Sequence, residues 1–307
     1  MKQTFLSVLF AAFTLLLSGC WNGRLLVAME EPYWMSEGGN SHLRWPLARA
    51  SFTHGYLPRF VVIGAQEDAE ARLRRELTVQ HYRAVVVGPL LSVEPQTYES
   101  VSPATRFLLV ENPIAVSQSN EVRLVFDRTP SFRTAGYAAG LAVRDEADGA
   151  AINALASRIG ILLSAHPPGT QDEITAFSGG VAQALDGGKP FARSLTDPLD
   201  QNTVRSAIEQ MRRDGVEIFL LFTGAADSWA LEDMKNSGGS AIVSDWAPSG
   251  AFPGQVFLSI ETELDGGVAR FLGGKGSGEG MVSGPVRIVA GQARPIPSEI
   301  AAKLALK

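Results

Sequence analysis

Five short groups of residues place rings, carboxylates and hydroxyls where an apolar run ends. Glu30, Glu31, Tyr33 and Trp34 follow the run 24–29, and Glu111 and Asn112 end the run 105–112. His166 and Thr170 follow 158–165, Thr223, Gly224 and Asp227 follow 216–222, and Asp245 and Trp246 close 240–246. These types suit recognition. A flat ring such as Tyr33, Trp34 or Trp246 buries well against a base or a sugar face. A carboxylate such as Asp245 or Glu111 accepts hydroxyl hydrogen bonds, strengthened by its charge. Thr223 and Gly224 lead into a helix start, where free N–H groups meet polar ligand atoms. Each group also has a plain structural alternative. Trp34 can pack under its own loop, Asp245 can cap a turn, and Asp227 reads more naturally as the N-cap of the helix after it.

No set of groups for catalysis stands beside these. There is no Gly-x-Ser-x-Gly elbow and no His-Glu-x-x-His pair. His42, His54, His81 and His166 are scattered without metal-ligand spacing, and the first three read as surface or packing residues. The stretch "GGKGSGEG" (273–280) superficially resembles a phosphate loop, but it lacks the Gly-Lys-Ser/Thr ending and leads into a strand. An enzyme is therefore not expected, nor a metal or other cofactor. The net charge is −5 and no Lys/Arg cluster stands out, which argues against a nucleic-acid partner.

Cys20 is the only cysteine, so no disulfide can form within the chain. It stands after Lys2 and an uncharged run, 4–18, too short for a spanning helix of roughly 20 residues. This reads as a secretory leader, residues 1–19, to be set aside from the fold. Leu17-Ser18-Gly19-Cys20 resembles the lipobox of bacterial lipoproteins. The resemblance implies cleavage before Cys20, a diacylglycerol on its sulfur and a lipid anchor in the cell envelope. Two or more acyl chains hold a protein stably where one does not.

The remaining residues must position the five groups. The runs 24–29, 59–64, 83–90, 105–112 and 122–128 are apolar throughout, and helical patterns lie between them over 42–55 and 67–80. Unbroken apolar runs mark strands buried on both faces of a parallel sheet. The alternation then begins again. Helices are expected over 130–147, 172–186, 201–215, about 227–236, 264–273 and 297–307. Strands are expected over 158–165, 191–196, 216–224, 240–246, 254–263 and 284–291. Two such sets predict an α/β chain of two doubly wound parallel-sheet domains. The expected parts are a tether, 20–23, one lobe of 24–127 with 264–282, and a second of 128–263 with 283–307, joined by a three-segment hinge. In such sheets the ligand sits beyond the strands' carboxyl ends, so the expected site is the cleft between the lobes.

Several segments also resemble basic-membrane-protein-type substrate-binding lipoproteins. The segment "FDRTPSFRTAGYAAGLAV" (126–143) is similar to that family's crossover strand and its helix with a Phe-x-x-Gly-Tyr-like core. "DPLDQNTVRSAIEQMRRDGVEIFLLFTGAADSW" (197–229), "AIVSDWAP" (241–248) and "GQVFLSIETELDGGVARFL" (254–272) resemble later parts of it. The resemblance covers roughly 120–290 and departs in "EEPYWMSEGGNSH" (30–42) and at Leu258-Ser259-Ile260-Glu261. It implies a type I periplasmic-binding-protein fold and a monomeric receptor that hands a small molecule to an ABC permease. The ligand it implies is a nucleoside or something sugar-like, with Asp245 at the ligand-touching position.

Overall fold

The computed structural model describes residues 22–64, 66–89, 91, 104–111, 120–146, 151–164, 170–195, 200–244, 246–274 and 280–305. The chain begins with β1 (Gly23–Glu30), α1 (Glu31–Ser36), α2 (Gly39–His42), α3 (Arg44–Thr53), β2 (Tyr56–Ile63), α4 (Ala69–Val79), β3 (Ala84–Val87), β4 (Arg106–Val110) and β5 (Glu121–Val125). There follow α5 (Thr129–Asp145), α6 (Ile152–Ala156), β6 (Ile159–Leu163), α7 (Thr170–Ala184), β7 (Phe191–Ser194), α8 (Gln201–Arg213), β8 (Ile218–Phe222), α9 (Asp227–Ser237), β9 (Ser240–Val243) and α10 (Trp246–Ala251). The last elements are β10 (Val256–Thr262), α11 (Leu264–Leu272), β11 (Met281–Ser283), β12 (Val286–Ala290) and α12 (Ser298–Ala305).

By packing, the chain divides into two units. Unit one is the described part of Met1–Phe126 with that of Glu263–Pro285; unit two is that of Asp127–Thr262 with that of Val286–Lys307. Unit one has a sheet in the order β11-β5-β4-β3-β1-β2, parallel throughout. Unit two has the order β12-β10-β9-β8-β6-β7, parallel except for β12, which runs antiparallel to β10. The doubly wound expectation holds with that exception. The chain re-enters unit two beside the end of β10, with Glu263 N–H donating to Pro285 O at 2.9 Å and Val286 opposite Thr262, so β12 runs back along β10. Each sheet has six strands. The short β11 went unforeseen because three residues carry too little pattern.

The inner apolar runs form strands covered on both faces, but the expectation fails at the edges: β2, β7 and β12 each have a single neighbouring strand and keep exposed positions, Leu57, Val62 and Phe191 among them. Leu25, Leu26, Ala28 and Met29 of β1 are fully buried, as are Ile218, Phe219, Leu220 and Leu221 of β8. In unit two, Phe132, Phe177 and Phe257 gather on one face of the sheet with α5 and α7, and Val204, Ile208, Met211 and Met234 on the other with α8 and α9. Helix α8 is set by its residues. Val204, Ile208 and Met211 recur at helical spacing, and the Asp200 carboxylate caps it through the N–H groups of Asn202 and Thr203 at 3.1 Å each. Helices α5 and α7 touch backbone to backbone. A Cβ on Gly136 would overlap the carbonyl of Phe177, and one on Gly180 would overlap the carbonyl oxygen of Arg133 and lie 2.7 Å from Tyr137 N.

Polar clamps close the other edge of unit two. Arg158 and Glu217 stand just before β6 and β8, at the strands' amino ends. Glu217 accepts from Arg158 at 2.8 and 2.6 Å and from Arg294 at 3.1 Å. Glu146 accepts from Arg294 at 2.8 Å and from Arg158 at 3.2 Å. The hydrogen bonds from Arg158 hold the Glu217 carboxyl below the usual carboxylate range, and that from Arg294 adds to the effect. In unit one, Arg59 of β2 forks onto Glu76 of α4 at 2.9 and 3.1 Å.

Candidate functional site

In a doubly wound sheet the crevice opens where neighbouring strands send their connections to opposite sides. In unit one that point lies between β1 and β3; in unit two it lies between β6 and β8. The residues at the carboxyl ends of these strands are the ones positioned for a ligand.

In unit one, β1 ends at Glu30, which is 8% exposed. Gly88 follows β3, and its Cα faces the Glu30 carboxylate so closely that a Cβ would strike Oε2. The next strand end, Gly64 after β2, faces two more carboxylates. A Cβ there would stand 3.6 Å from Glu67 Oε1 and 3.8 Å from Glu31 Oε2. The Gly64 N–H donates to Glu67 at 3.3 Å. Glu111, just beyond β4, holds φ at +46°, a left-handed value unusual for a side-chain-bearing residue. Its N–H donates to Leu124 O at 2.8 Å, which pins the turn. Such strain, of order 1–3 kcal/mol, persists where the surroundings over-determine it and clusters at ligand sites. Glu30, Glu31, Glu67 and Glu111 thus line the carboxyl edge of one sheet.

Tyr33 and Trp34 lie on α1, a helical turn that starts directly from β1 with Pro32 in its first turn. Tyr33 is partly exposed. Trp34 is 2% exposed, with its ring centroid 5.9 Å from that of Phe60. The stacking face expected on Trp34 is therefore covered in this structure, because the α1 turn points the indole into unit one.

In unit two, Ser164 after β6 donates its N–H to Phe222 O at 2.9 Å, which ties the ends of β6 and β8 together. Thr223 is 5% exposed and Asp227 1% exposed. The Thr223 N–H donates to Asp227 Oδ1 at 3.0 Å, and its hydroxyl donates to the same oxygen. Asp227 is thus not the N-cap of α9. The 3₁₀ turn Gly224–Ala226 starts the coil earlier, Ala226 takes the cap position, and the carboxylate folds back onto Thr223. Gly224 is exposed at φ +64°, a conformation suited to glycine, with open space where a Cβ would stand.

The strand expected over 240–246 ends at Val243, and Trp246 instead begins α10. Pro248 fits there because a helix's first turn has no use for its missing N–H. Thr170 begins α7. Cys20, Asn112, His166 and Asp245, and the side chains of Thr170 and Trp246, lie outside the described residues. Sequence reasoning missed Gly64, Glu67, Gly88 and Ser164. The Gly that closes a buried apolar run was the available signal for Gly64 and Gly88. It also missed Arg128, which pairs with Glu173 at 3.6 Å between the first turns of α5 and α7.

No protein-family model and no curated protein matches the chain. Solved structures do. An ABC transporter system solute-binding protein from Aeropyrum pernix K1 matches at TM-score 0.63 and 18% identity, over 87% of this chain and 76% of that one. A solute-binding protein of an ABC transporter system from Conexibacter woesei DSM 14684 matches at TM-score 0.64 and 12% identity, over 92% and 94%. A transcriptional activator of the comK gene from Bacillus halodurans matches at TM-score 0.67 and 15% identity, over 92% and 95%. What is common at these identities is the fold. The chain has the two-domain type I periplasmic-binding-protein fold found in solute-binding proteins of ABC transporter systems.

Proposed function

We propose that the protein is a lipid-anchored solute receptor of an ABC importer. It takes a small polar ligand at the carboxyl ends of the parallel strands. The observation that carries this reading is the concentration of carboxylates at the switch point of unit one, on a fold shared with solute-binding proteins. Clustered carboxylates call for a ligand rich in hydrogen-bond donors, such as the hydroxyls of a ribose or another sugar. Tyr33, Glu111 and Asn112 from unit one, and Thr170, Thr223, Gly224, Asp245 and Trp246 from unit two, complete the proposed site. Asp227 supports it by fixing Thr223. A nucleoside is the first choice, since the sequence resemblance over roughly 120–290 points there. Hinge closure around the ligand would deliver it to the permease.

Two experiments test this. Titration calorimetry of the full chain in detergent, stripped of carried ligand, against nucleosides, free bases and pentoses should give saturable heat for a nucleoside. No heat from any of them sinks the ligand claim. Fatty-acid labelling should be lost in Cys20→Ala, with the precursor left uncleaved; persistent labelling sinks the anchor. Among the described residues no helix is long and apolar enough to cross a membrane.

A further inference from the structure

A second opening lies within unit one, away from the strand ends, between α3 and α11. Its volume is about 300 Å³, at the lower end of ligand-site sizes. Trp45, Arg49 and Thr53 line it from α3, at i, i+4 and i+8 on one helix face, and Asp265 and Ala269 line it from α11. His54 stands at the end of α3. Small residues, Ala50, Gly266 and Ala269, leave space between two helices that are otherwise in contact.

Three features make this more than a packing gap. Trp45 is 72% exposed, the most exposed aromatic among the described residues, and it rests at the mouth of the opening. Arg49, one turn along, makes no side-chain hydrogen bond or ion pair among the described residues, and neither does Asp265 opposite. The two line the same opening without pairing with each other. An unpaired cation, an unpaired anion and a bare indole around one apolar slot are complementary to a ligand that carries both charges and a flat apolar body.

We propose that this groove binds a small aromatic zwitterion, of which a free aromatic amino acid is the simplest. Arg49 takes the carboxylate, Asp265 takes the ammonium, and Trp45 stacks on the ring. The site is independent of the strand-end site, because none of its lining residues stands at a strand's carboxyl end.

The test is calorimetry of the full chain in detergent with L-phenylalanine, phenethylamine and 3-phenylpropionate. The last two each lack one charge. L-phenylalanine should bind saturably, at about millimolar affinity for so open a groove, and each analogue about tenfold more weakly. Trp45→Ala should weaken all three probes. Arg49→Gln should erase the preference over phenethylamine, and Asp265→Asn the preference over 3-phenylpropionate. Glu31→Gln, at the strand ends, should change none of these affinities. Trp45 and Arg49 are exposed, so unchanged melting of their variants will show that folding is intact. No saturable binding overturns the proposal. So does equal binding of all three probes, or binding that survives Trp45→Ala and is lost in Glu31→Gln.

Discussion

The two units handle the polar groups at their strand ends in opposite ways. In unit two the Asp227 carboxylate is engaged by the Thr223 N–H and hydroxyl, and Glu261 at the end of β10 is held by Arg287 at 2.9 Å. In unit one Glu30, Glu31, Glu67 and Glu111 share one edge. At that edge Glu67 accepts from the Gly64 N–H and lies 3.8 Å from the Arg72 guanidinium, while Glu31 has no side-chain partner among the described residues. A loop whose polar groups satisfy each other is stiff and preformed. An exposed carboxylate without a partner, such as that of Glu31, stays available to a donor from outside. On the proposed function, unit two supplies a fixed template and Glu31 of unit one a group free to respond to ligand. The units differ in packing as well. Helices α5 and α7 of unit two meet backbone to backbone at glycines, whereas α3 and α11 of unit one leave a groove.

The hardest blow to unit two should fall at that glycine contact. Gly180→Ala puts a methyl group into the Arg133 carbonyl, and neither atom is the end of a flexible side chain. The helices must separate and the apolar cluster around Phe132 and Phe177 must open with them. Overpacking usually costs 1–3 kcal/mol, and backbone contact belongs at the top of that range, so about 3 kcal/mol is expected in urea unfolding. Gly254→Ala is the control, since open space surrounds that position, and it should be near neutral. A mild Gly180→Ala would mean that the template is softer than the comparison implies.

Next in size is Asp227→Ala. It leaves the buried Thr223 N–H without its acceptor, and a buried donor stranded in this way costs about 1–3 kcal/mol. Asp227→Asn keeps an acceptor oxygen and should recover part of the loss. If both variants lose ligand affinity far beyond their loss of stability, then Asp227 touches the ligand itself.

The sheets and most helices were legible because burial writes itself into sequence. Runs such as "LLVAM" and "IFLLF" can be soluble only inside a covered sheet. The site was legible only in outline. Glu30, Tyr33, Glu111 and Thr223 could be placed because strand ends mark the ligand edge of this architecture. The direction of a side chain could not, since it depends on local turns that carry little pattern. Trp34 turns inward because α1 begins at once after β1, and Asp227 turns back because a single 3₁₀ turn precedes α9. The carboxylates facing Gly64 and Gly88 come from two separate stretches of chain, and only the folded sheet brings them together.

A third, smaller effect is an acid limb in the stability of unit two. The folded-state pKa of Glu217 lies below its unfolded value, chiefly through the Arg158 hydrogen bonds. Its contribution is therefore complete above the unfolded carboxylate range and drains away as pH falls through the folded value. The carboxylate is partly exposed, so solvent screening limits the effect to about 1 kcal/mol or less. Thermal melts of Glu217→Gln should start lower at neutral pH and converge on the parent as the pH falls. Parallel curves would show that the cluster contributes nothing pH-dependent.

The smallest expected change in stability bears most directly on the comparison. Glu31 is exposed, and among the described residues it has no side-chain partner, so Glu31→Gln removes a charge without removing a contact. Surface changes of this kind fall within about 0.5 kcal/mol, and here the sign should be favourable, because Glu31 and Glu67 both face Gly64. Ligand affinity should move the other way. A charge-assisted hydrogen bond contributes about 1.5–3 kcal/mol, so its weakening to a neutral one should cost roughly tenfold in Kd for a hydroxyl-bearing ligand. Stability rising slightly while affinity falls is the signature of a residue kept for binding at the expense of the fold. Thermal melts and calorimetry on the same preparation would show it. If Glu31→Gln lowers both, the carboxylate is part of the scaffold. If it changes neither, the acidic edge of unit one is simply a solvated face, and the division of labour between the units fails.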